Sequence, residues 1–350
     1  MPYLKYAQTS HPKHEVQQRD VVDLLTKLFH KDSLERKQVS SVFAHAGVKT
    51  RQLVKPLAWY AAEHSLAERN RVYLHEGFAL LEEACKGCLT KACLTPNQID
   101  HIITVSSTGL ATPSLDALLI DALGLMPSIS RVPVWGLGCA GGVMAISMAH
   151  DFLLAYPERT VLIAALETCS LTFQKEDLSR KNIVGAALFG DGAGAALLGG
   201  SSKSTSHPRL IAHRQHLFSS SKTIMGWDIV NTGFQLILAR ELPQFVEQHV
   251  EGIVRSFLDE HSLKINDLKH ILLHPGGPKV LEAVLKSLSL SKNIGHLAEE
   301  VLADHGNLSS VSIFAVVEKW LTRHHYRTQG PGLMIAFGPG FSCSLILFEV

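Results

Sequence analysis

Two glycine turns of the same build, far apart in the chain, constrain the fold of this 350-residue sequence more than any other feature. Phe189–Gly190–Asp191–Gly192 runs into AGAALLG, and Phe337–Gly338–Pro339–Gly340 runs into FSCSLILF. Each is a tight turn feeding an uncharged apolar run of strand length, the pattern of a strand buried on both faces. Upstream of each turn lies a second shared feature. Gly138–Cys139 precedes AGGVMAISMA, and Gly306–Asn307 precedes LSSVSIFAVV. In both, a glycine and a chemically useful side chain stand before a helix with small residues in its first turn. Two features in the same order imply two related halves, with Cys139 and Asn307 in equivalent places. The interval from the second feature to the turn is 50 residues in the first half and 30 in the second, so the first half carries an insertion.

The rest of the chain alternates in the same way. IDHIITVSST, RVPVW, TVLIAALE, KHILLHP and GLMIAFG read as short buried strands; SLDALLIDALGL and GGVMAISMAHDFLLAY read as helices. This is an α/β pattern. The polar, turn-rich stretch GGSSKSTSHPRL, residues 199–210, is the one candidate boundary, and it divides the chain into residues 1–204 and 205–350.

Charge excludes some partners. With 33 Lys+Arg against 32 Asp+Glu, nothing attracts nucleic acid or an anionic membrane. Six scattered cysteines make no disulfide framework. Cys85 and Cys88 have half-zinc-site spacing, but no second pair follows and they fall in a helix-like run, so no metal is expected. The first residues lack the apolar run of a secretory signal. The uncharged window Val132–Ala149 contains Pro133 and four glycines, which fits strand–turn–helix better than a membrane span. A soluble, cytoplasmic protein is expected.

Gly136–Leu137–Gly138–Cys139–Ala140–Gly141 matches GxGxxG between a strand and a helix, the context of a dinucleotide fingerprint. A nicotinamide-dependent oxidoreductase, with Glu167 on the ribose, is therefore one reading. Against it, Glu167 lies 31 residues after Gly136, beyond the roughly 20 that the fingerprint expects. A cysteine at a helix start also has another use. The unpaired N–H groups and the helix dipole favour its thiolate. His274, in LLHPGG, ends a buried strand, and Asn307, in HGNLSS, stands at a helix start. Alone, His274 reads as structural and Asn307 as an N-cap. Together with Cys139 they form a set in which the histidine shares the thiol proton and both N–H groups face an oxyanion.

With these motifs assembled, the chain resembles the type III polyketide synthases, the chalcone-synthase-like branch of the thiolase superfamily. The residues that carry the resemblance are Cys139 in GLGCAGG, Phe189 in ALFGDGAGA, Phe234 in NTGFQL, His274 in LLHPGG, Asn307 in HGNLSS and the closing Gly338–Pro339–Gly340. It spans residues from about 40 to the end. It implies a thiolase-like, duplicated αβαβα five-layer fold and a homodimer. It also implies roles. Cys139 carries the acyl chain, and His274 holds its thiolate and stabilises the thioester enolate. Asn307 assists decarboxylation of malonyl-CoA. Phe189 and Phe234 are gatekeepers, and Lys49, Arg51 and Lys55 bind the CoA phosphates. CoA thioesters are substrates and no separate cofactor is expected.

The same resemblance outlines a cavity from Ser107, Thr108, Thr112, Cys169, Thr172, Ser309 and the Gly338–Pro339–Gly340 turn. Thr112 stands where plant relatives carry a bulkier Met that reaches the partner subunit. Small residues at Thr108 and Cys169 are similar to those of bacterial long-chain alkylpyrone synthases. A fatty acyl-CoA starter, malonyl extension and release as an alkylpyrone are therefore expected, with an alkylresorcinol as the other closure. Two more readings stay open: an initiating β-ketoacyl-carrier-protein synthase with one condensation, and a non-enzymatic acyl-CoA-binding protein.

Overall fold

The computed structural model describes residues 1–28, 33–200, 207–323 and 328–350. The expected boundary between residues 204 and 205 lies outside the described residues. In chain order the strands are β1 (Tyr3–Ser10), β2 (His14–Gln17), β3 (Thr50–Leu53), β4 (His101–Ser106), β5 (Ser130–Trp135), β6 (Thr160–Thr168) and β7 (Asp191–Gly199). They continue with β8 (Arg209–Leu217), β9 (Met225–Val230), β10 (Gly233–Leu238), β11 (His270–Leu273), β12 (Pro331–Gly338) and β13 (Ser342–Glu349). Nine form a mixed sheet in the order β11-β12-β13-β8-β1-β7-β6-β4-β5.

The order is that of two copies placed back to back. From β1 outward come β7, β6, β4 and β5; from β8 outward come β13, β12 and β11. In both, the first strand pairs antiparallel with the last, and the last pairs antiparallel with the strand before it. The two runs meet where Tyr3 pairs with Arg209. Each glycine turn feeds the last strand of its half, β7 or β13.

Period-two side-chain alternation splits the first half's core. Val161, Ile163 and Ala165 of β6 belong to the core shared with the C-terminal half. Leu162, Ala164 and Leu166 belong to the core under the N-terminal helices. The middle layer consists of helices Gly141–Ala155 and Ser312–Thr322, the two that follow Cys139 and Asn307. The first packs on β4 and β6 of one half and on β8, β12 and β13 of the other; the second packs on β1 and β7 and on β11. Helices Phe78–Ala92 and Leu115–Leu123 cover the outer face of the first sheet. Helices Leu242–Asp259 and Pro278–Ser287 share one core with the second. The layers run αβαβα.

Central position explains the hydropathy of the middle helix. Among the described residues, Gly138–Ala155 is the one stretch long and apolar enough to cross a membrane, and most of it is buried in protein. Cys85 and Cys88 lie fully buried on the core face of helix Phe78–Ala92 as free thiols. Strand β5 is the exception to burial. It is an edge strand, exposed along most of its length, with Val132 and Trp135 open on its surface.

Candidate active site

Cys139 sits in a single turn of 3₁₀-helix, Gly138–Ala140, between β5 and the buried helix Gly141–Ala155. Gly136 and Gly138 both have positive φ, +87° and +49°, which a glycine adopts without strain. Gly138 has a second reason to lack a side chain: a Cβ there would lie 2.6 Å from Cδ of Pro339. A Cβ at Gly338 would lie 2.4 Å from the carbonyl oxygen of Leu137. The closing Gly338–Pro339–Gly340 turn therefore clamps the cysteine turn. From the other side the Gly138 N–H donates to Oγ of Ser107 at 2.9 Å.

Asn307 begins the equivalent turn of the second half. Its backbone N–H donates to the Leu188 carbonyl at 2.7 Å, and the Gly190 N–H donates to its carbonyl at 3.1 Å. The gatekeeper segment thus fixes it. The Ser309 N–H donates to Asn307 Oδ1 at 2.8 Å, and the Ser312 hydroxyl reaches the same oxygen at 3.4 Å. With the oxygen occupied, Nδ2 is the end left for Cys139 Sγ, 3.9 Å away. Ser309 Oγ also stands 3.9 Å from that sulfur. Both side chains that reach the sulfur so come from one turn of the second half.

His274 follows β11 and is held by its backbone N–H, which donates to the Ile335 carbonyl at 2.9 Å. It is buried, and neither ring nitrogen has a hydrogen-bond partner among the described residues. The expected hydrogen bond from Cys139 to His274 is absent. Burial pushes the Cys139 thiol up to about 12, against the lowering effect of Ser309 and Asn307. Burial also pushes His274 down to about 3. In this geometry both groups are neutral, so the thiolate pairing expected from sequence is not formed here. Two bare buried nitrogens are costly without a partner. A substrate carbonyl or the developing thiolate is the partner that such a ring can take.

Behind the thiol, Glu167 is fully buried at the end of β6. It accepts from the Ser107 N–H (3.1 Å), the Thr108 hydroxyl (2.8 Å) and the Ser310 hydroxyl (2.5 Å). Burial raises its carboxyl to about 7 despite these donors. This overturns the dinucleotide reading. The candidate ribose acid is enclosed and occupied, and the glycine cradle is filled by protein. A Cβ at Gly141 would lie 2.6 Å from Val105 Cγ1, and one at Gly142 would lie 2.4 Å from the Ser310 carbonyl oxygen.

Phe189 caps helix Arg180–Leu188, and Phe234 lies on β10. Trp227 of β9 joins them, its ring centroid 6.2 Å from Phe189 and 6.5 Å from Phe234. Sequence reading missed this indole, because the β9–β10 hairpin that turns it toward the gate has no strong apolar signal. Next to Phe189 an apolar pocket opens, lined by Cys169, Thr172, Val21, Leu25, Ala186 and Leu236 among others. Thr108 is not part of its wall, since its hydroxyl bonds Glu167 and accepts from the Thr168 N–H at 2.9 Å. Thr112 is exposed on the surface of the single chain.

The basic residues need the largest correction. Arg51, expected on CoA phosphates, is 2 % exposed and lies on β3. Its two terminal nitrogens are spent on the carbonyls of Ala186, Ala187 and Phe189 and on Gln18, while Nε is buried without a partner among the described residues. Lys55 pairs with Glu76. Lys49 remains exposed.

A buried cysteine at the start of a central helix, with an amide and a hydroxyl from a duplicate half beside its sulfur and a buried, unpartnered histidine at the end of β11 in that same half, fits a thiolase-fold acyl-transfer centre. Comparison with known proteins specifies the family. Residues 6–202 match the N-terminal domain of chalcone and stilbene synthases, and residues 209–350 match the C-terminal domain. A putative chalcone synthase of Bacillus subtilis (strain 168) is 37% identical over all of this chain and 99% of its own length. The 1,3,6,8-tetrahydroxynaphthalene synthase of Streptomyces peucetius subsp. caesius is 38% identical over 97% of this chain and 91% of its own. The crystal structure of the tetrahydroxynaphthalene synthase of Streptomyces coelicolor A3(2), a bacterial type III polyketide synthase, superposes with a TM-score of 0.92 at 28% identity, covering 99% of both chains. The chain belongs to the chalcone and stilbene synthase family, the type III polyketide synthases, and is a malonyl-CoA-dependent acyltransferase.

Proposed function

We propose that this enzyme loads a long-chain fatty acyl group from CoA onto Cys139, extends it with malonyl-CoA and releases it as an alkylpyrone. The observation that supports an apolar starter is the mostly apolar pocket beside Phe189 and Cys169, walled by helices Gln18–Leu28 and Arg180–Leu188; at about 60 Å³ it takes the first carbons of a tail, and a longer tail must widen it. Each methylene buried there contributes about 0.8 kcal/mol, roughly a fourfold preference for every added carbon. Relatives are named for naphthalene, α-pyrone and phloroglucinol products, so family membership alone does not choose among them.

The chemistry follows from the set. Sγ of Cys139 attacks the acyl-CoA thioester, its proton passes to His274, and CoA leaves as the thiol. The malonyl thioester oxygen then faces Asn307 Nδ2–H and the His274 ring N–H. Loss of CO₂ leaves the enolate held by these donors, aimed at the charge that develops. The enolate carbon attacks the Cys139 thioester and expels the thiolate, leaving the extended chain on CoA; the thiolate then attacks that thioester, takes the chain back and releases CoA. After the last extension, an enol oxygen of the chain attacks the thioester carbonyl, closing the lactone and freeing Cys139. CoA thioesters serve as substrates, and no separate cofactor takes part.

A cytoplasmic homodimer completes this reading. The exposed edge of β5, with Val132 and Trp135 open on it, and the exposed Leu110 and Met126 nearby in sequence supply an apolar surface that supports it. Mass spectrometry of the products formed from malonyl-CoA with starters from acetyl- to arachidoyl-CoA tests the proposal. Long-chain triketide or tetraketide pyrones are expected. Products from short starters alone would remove the long-chain assignment. Activity only with a malonyl-carrier protein, stopping after one condensation, would favour the initiating ketosynthase. In Cys139→Ala, product formation should vanish while CO₂ release from malonyl-CoA persists.

A further inference from the structure

At the far end of the central helix, three side chains come together that the condensation chemistry does not use. His150 and Asp151 are consecutive on helix Gly141–Ala155, and His213 projects from β8 of the other half. The Oδ1 oxygen of Asp151 lies 3.3 Å from His150 Nδ1 and 2.8 Å from His213 Nε2. All three potential ligand atoms fall within 4.8 Å of one another.

We propose that His150, Asp151 and His213 bind one divalent transition-metal ion of the zinc class. In a tetrahedral site with bonds of about 2.0–2.1 Å, ligand atoms stand roughly 3.3 Å apart. One measured edge equals that spacing and the other is about 0.5 Å shorter, so an ion needs only a small opening of the Asp151–His213 contact. Two imidazoles and one carboxylate are a donor set that zinc accepts, and it leaves a fourth position for water. Asp151 pairs with no lysine or arginine among the described residues, so its charge is not already neutralised. His150 is 5 % exposed with its Nδ1 toward Asp151, so its ring is already aimed into the cluster. The Asp151 side chain is 61% exposed, which gives the ion a path in.

Position sets the consequence. Eleven residues of helix separate His150 from Cys139, about 16 Å at 1.5 Å per residue. The ion would fasten the helix that carries the nucleophile to the first strand of the second half, without touching substrate. The site stands whatever starter or product the enzyme has.

The test uses the full-length protein with Cys93, the exposed free thiol, changed to Ser. After treatment with a chelator and dialysis, zinc is titrated in competition with a chromophoric chelator, and cobalt(II) is added for its visible spectrum. One equivalent per chain is expected, with a cobalt spectrum free of thiolate charge-transfer absorption and a rise in melting temperature. His213→Ala and Asp151→Asn should each weaken binding at least tenfold and abolish the rise, with condensation in metal-free buffer unchanged. Asp151→Asn is at an exposed position and guards against a folding defect in His213→Ala. Unchanged stoichiometry and affinity in both variants, a thiolate band, or no zinc uptake by the parent protein would overturn the proposal.

Discussion

Arg51 donates to the carbonyl oxygen of Phe189 at 2.7 Å. The same guanidinium holds the carbonyls of Ala186 and Ala187, so one buried cation closes the C-terminal end of helix Arg180–Leu188. Cations are favourable there, and these carbonyls have no helical donor of their own. One residue before Phe189, the Leu188 carbonyl receives the Asn307 N–H. The gate and the oxyanion amide therefore hang on one helix end, and Arg51 fixes it.

Removing that cation should cost stability before it costs substrate affinity. Arg51→Met leaves the Ala186 and Phe189 carbonyls bare, while that of Ala187 keeps the Gln18 amide at 3.0 Å; at about 1–3 kcal/mol each, a loss of roughly 2 kcal/mol or more is expected. A lower urea midpoint at constant slope would record it. Arg51→Lys should recover only part, because an ammonium lacks the fork. The ratio of KM for a CoA thioester to that for its 3′-dephospho form should not change in Arg51→Lys. A shift in that ratio with stability intact would return Arg51 to the phosphates.

Glu167 makes stability depend on pH. Its folded carboxyl sits at about 7, above the ordinary value of 4.5. Below about pH 4 both folded and unfolded states hold the proton, and the folded state keeps its full stability. As pH rises toward and through 7, the unfolded chain has already ionised while the folded one must expose a charge to a dry site, so stability falls. A difference of this size corresponds to about 3 kcal/mol between pH 4 and pH 8. Glu167→Gln should remove that slope while keeping an acceptor for the Ser107 N–H and the Thr108 hydroxyl, its Nε2 donating to Ser310 Oγ instead. Asp191, also raised by burial, is common to both proteins and cancels in the comparison. Parallel stability–pH curves for the two proteins would show that Glu167 is already ionised in the fold.

Much of this architecture was legible because it repeats. The paired glycine turns located β7 and β13, and the two small-residue helices proved to be the middle layer. Cys139 and Asn307 stand where the duplication put them. What sequence could not show is what depends on approach between distant segments. Arg51 looked like a surface base because a cation's burial is set by its acceptors, here 135 to 138 residues away. Thr108 looked like a cavity wall for want of any sign that Glu167 would claim its hydroxyl. His150 and His213, 63 residues apart, form no spacing that a motif could report.

The amide of Asn307 should be sensitive to its support. Ser309 N–H and the Ser312 hydroxyl hold Oδ1, which leaves Nδ2 as the free donor, both amide atoms standing 3.9 Å from the sulfur. Asn307→Asp keeps the acceptor and replaces the donor with a negative charge beside the enolate. Malonyl-CoA decarboxylation should fall about 10²–10³-fold, the cost of losing one oxyanion donor. Ser312→Ala removes one of two supports and should lower decarboxylation by about tenfold or less, near 1 kcal/mol. If Asn307→Asp decarboxylates at the parent rate, the amide is not the donor.

Cys169 and Thr108 separate two explanations of starter preference. Cys169 lines the apolar pocket, and its neighbour Thr172 bonds back to its carbonyl at 2.7 Å. Cys169→Phe fills the pocket at its junction with the gate. The longest accepted starter should shorten by several carbons while activity on short starters persists. Thr108→Phe instead breaks the Glu167 network and forces a ring into a packed site, so it should lose stability and activity on every starter alike. Chain-length profiles of both variants by mass spectrometry decide the matter. A Cys169→Phe enzyme that still takes the longest starter would mean that the acyl tail lies elsewhere, since no pocket wall could then be holding it beside Phe189.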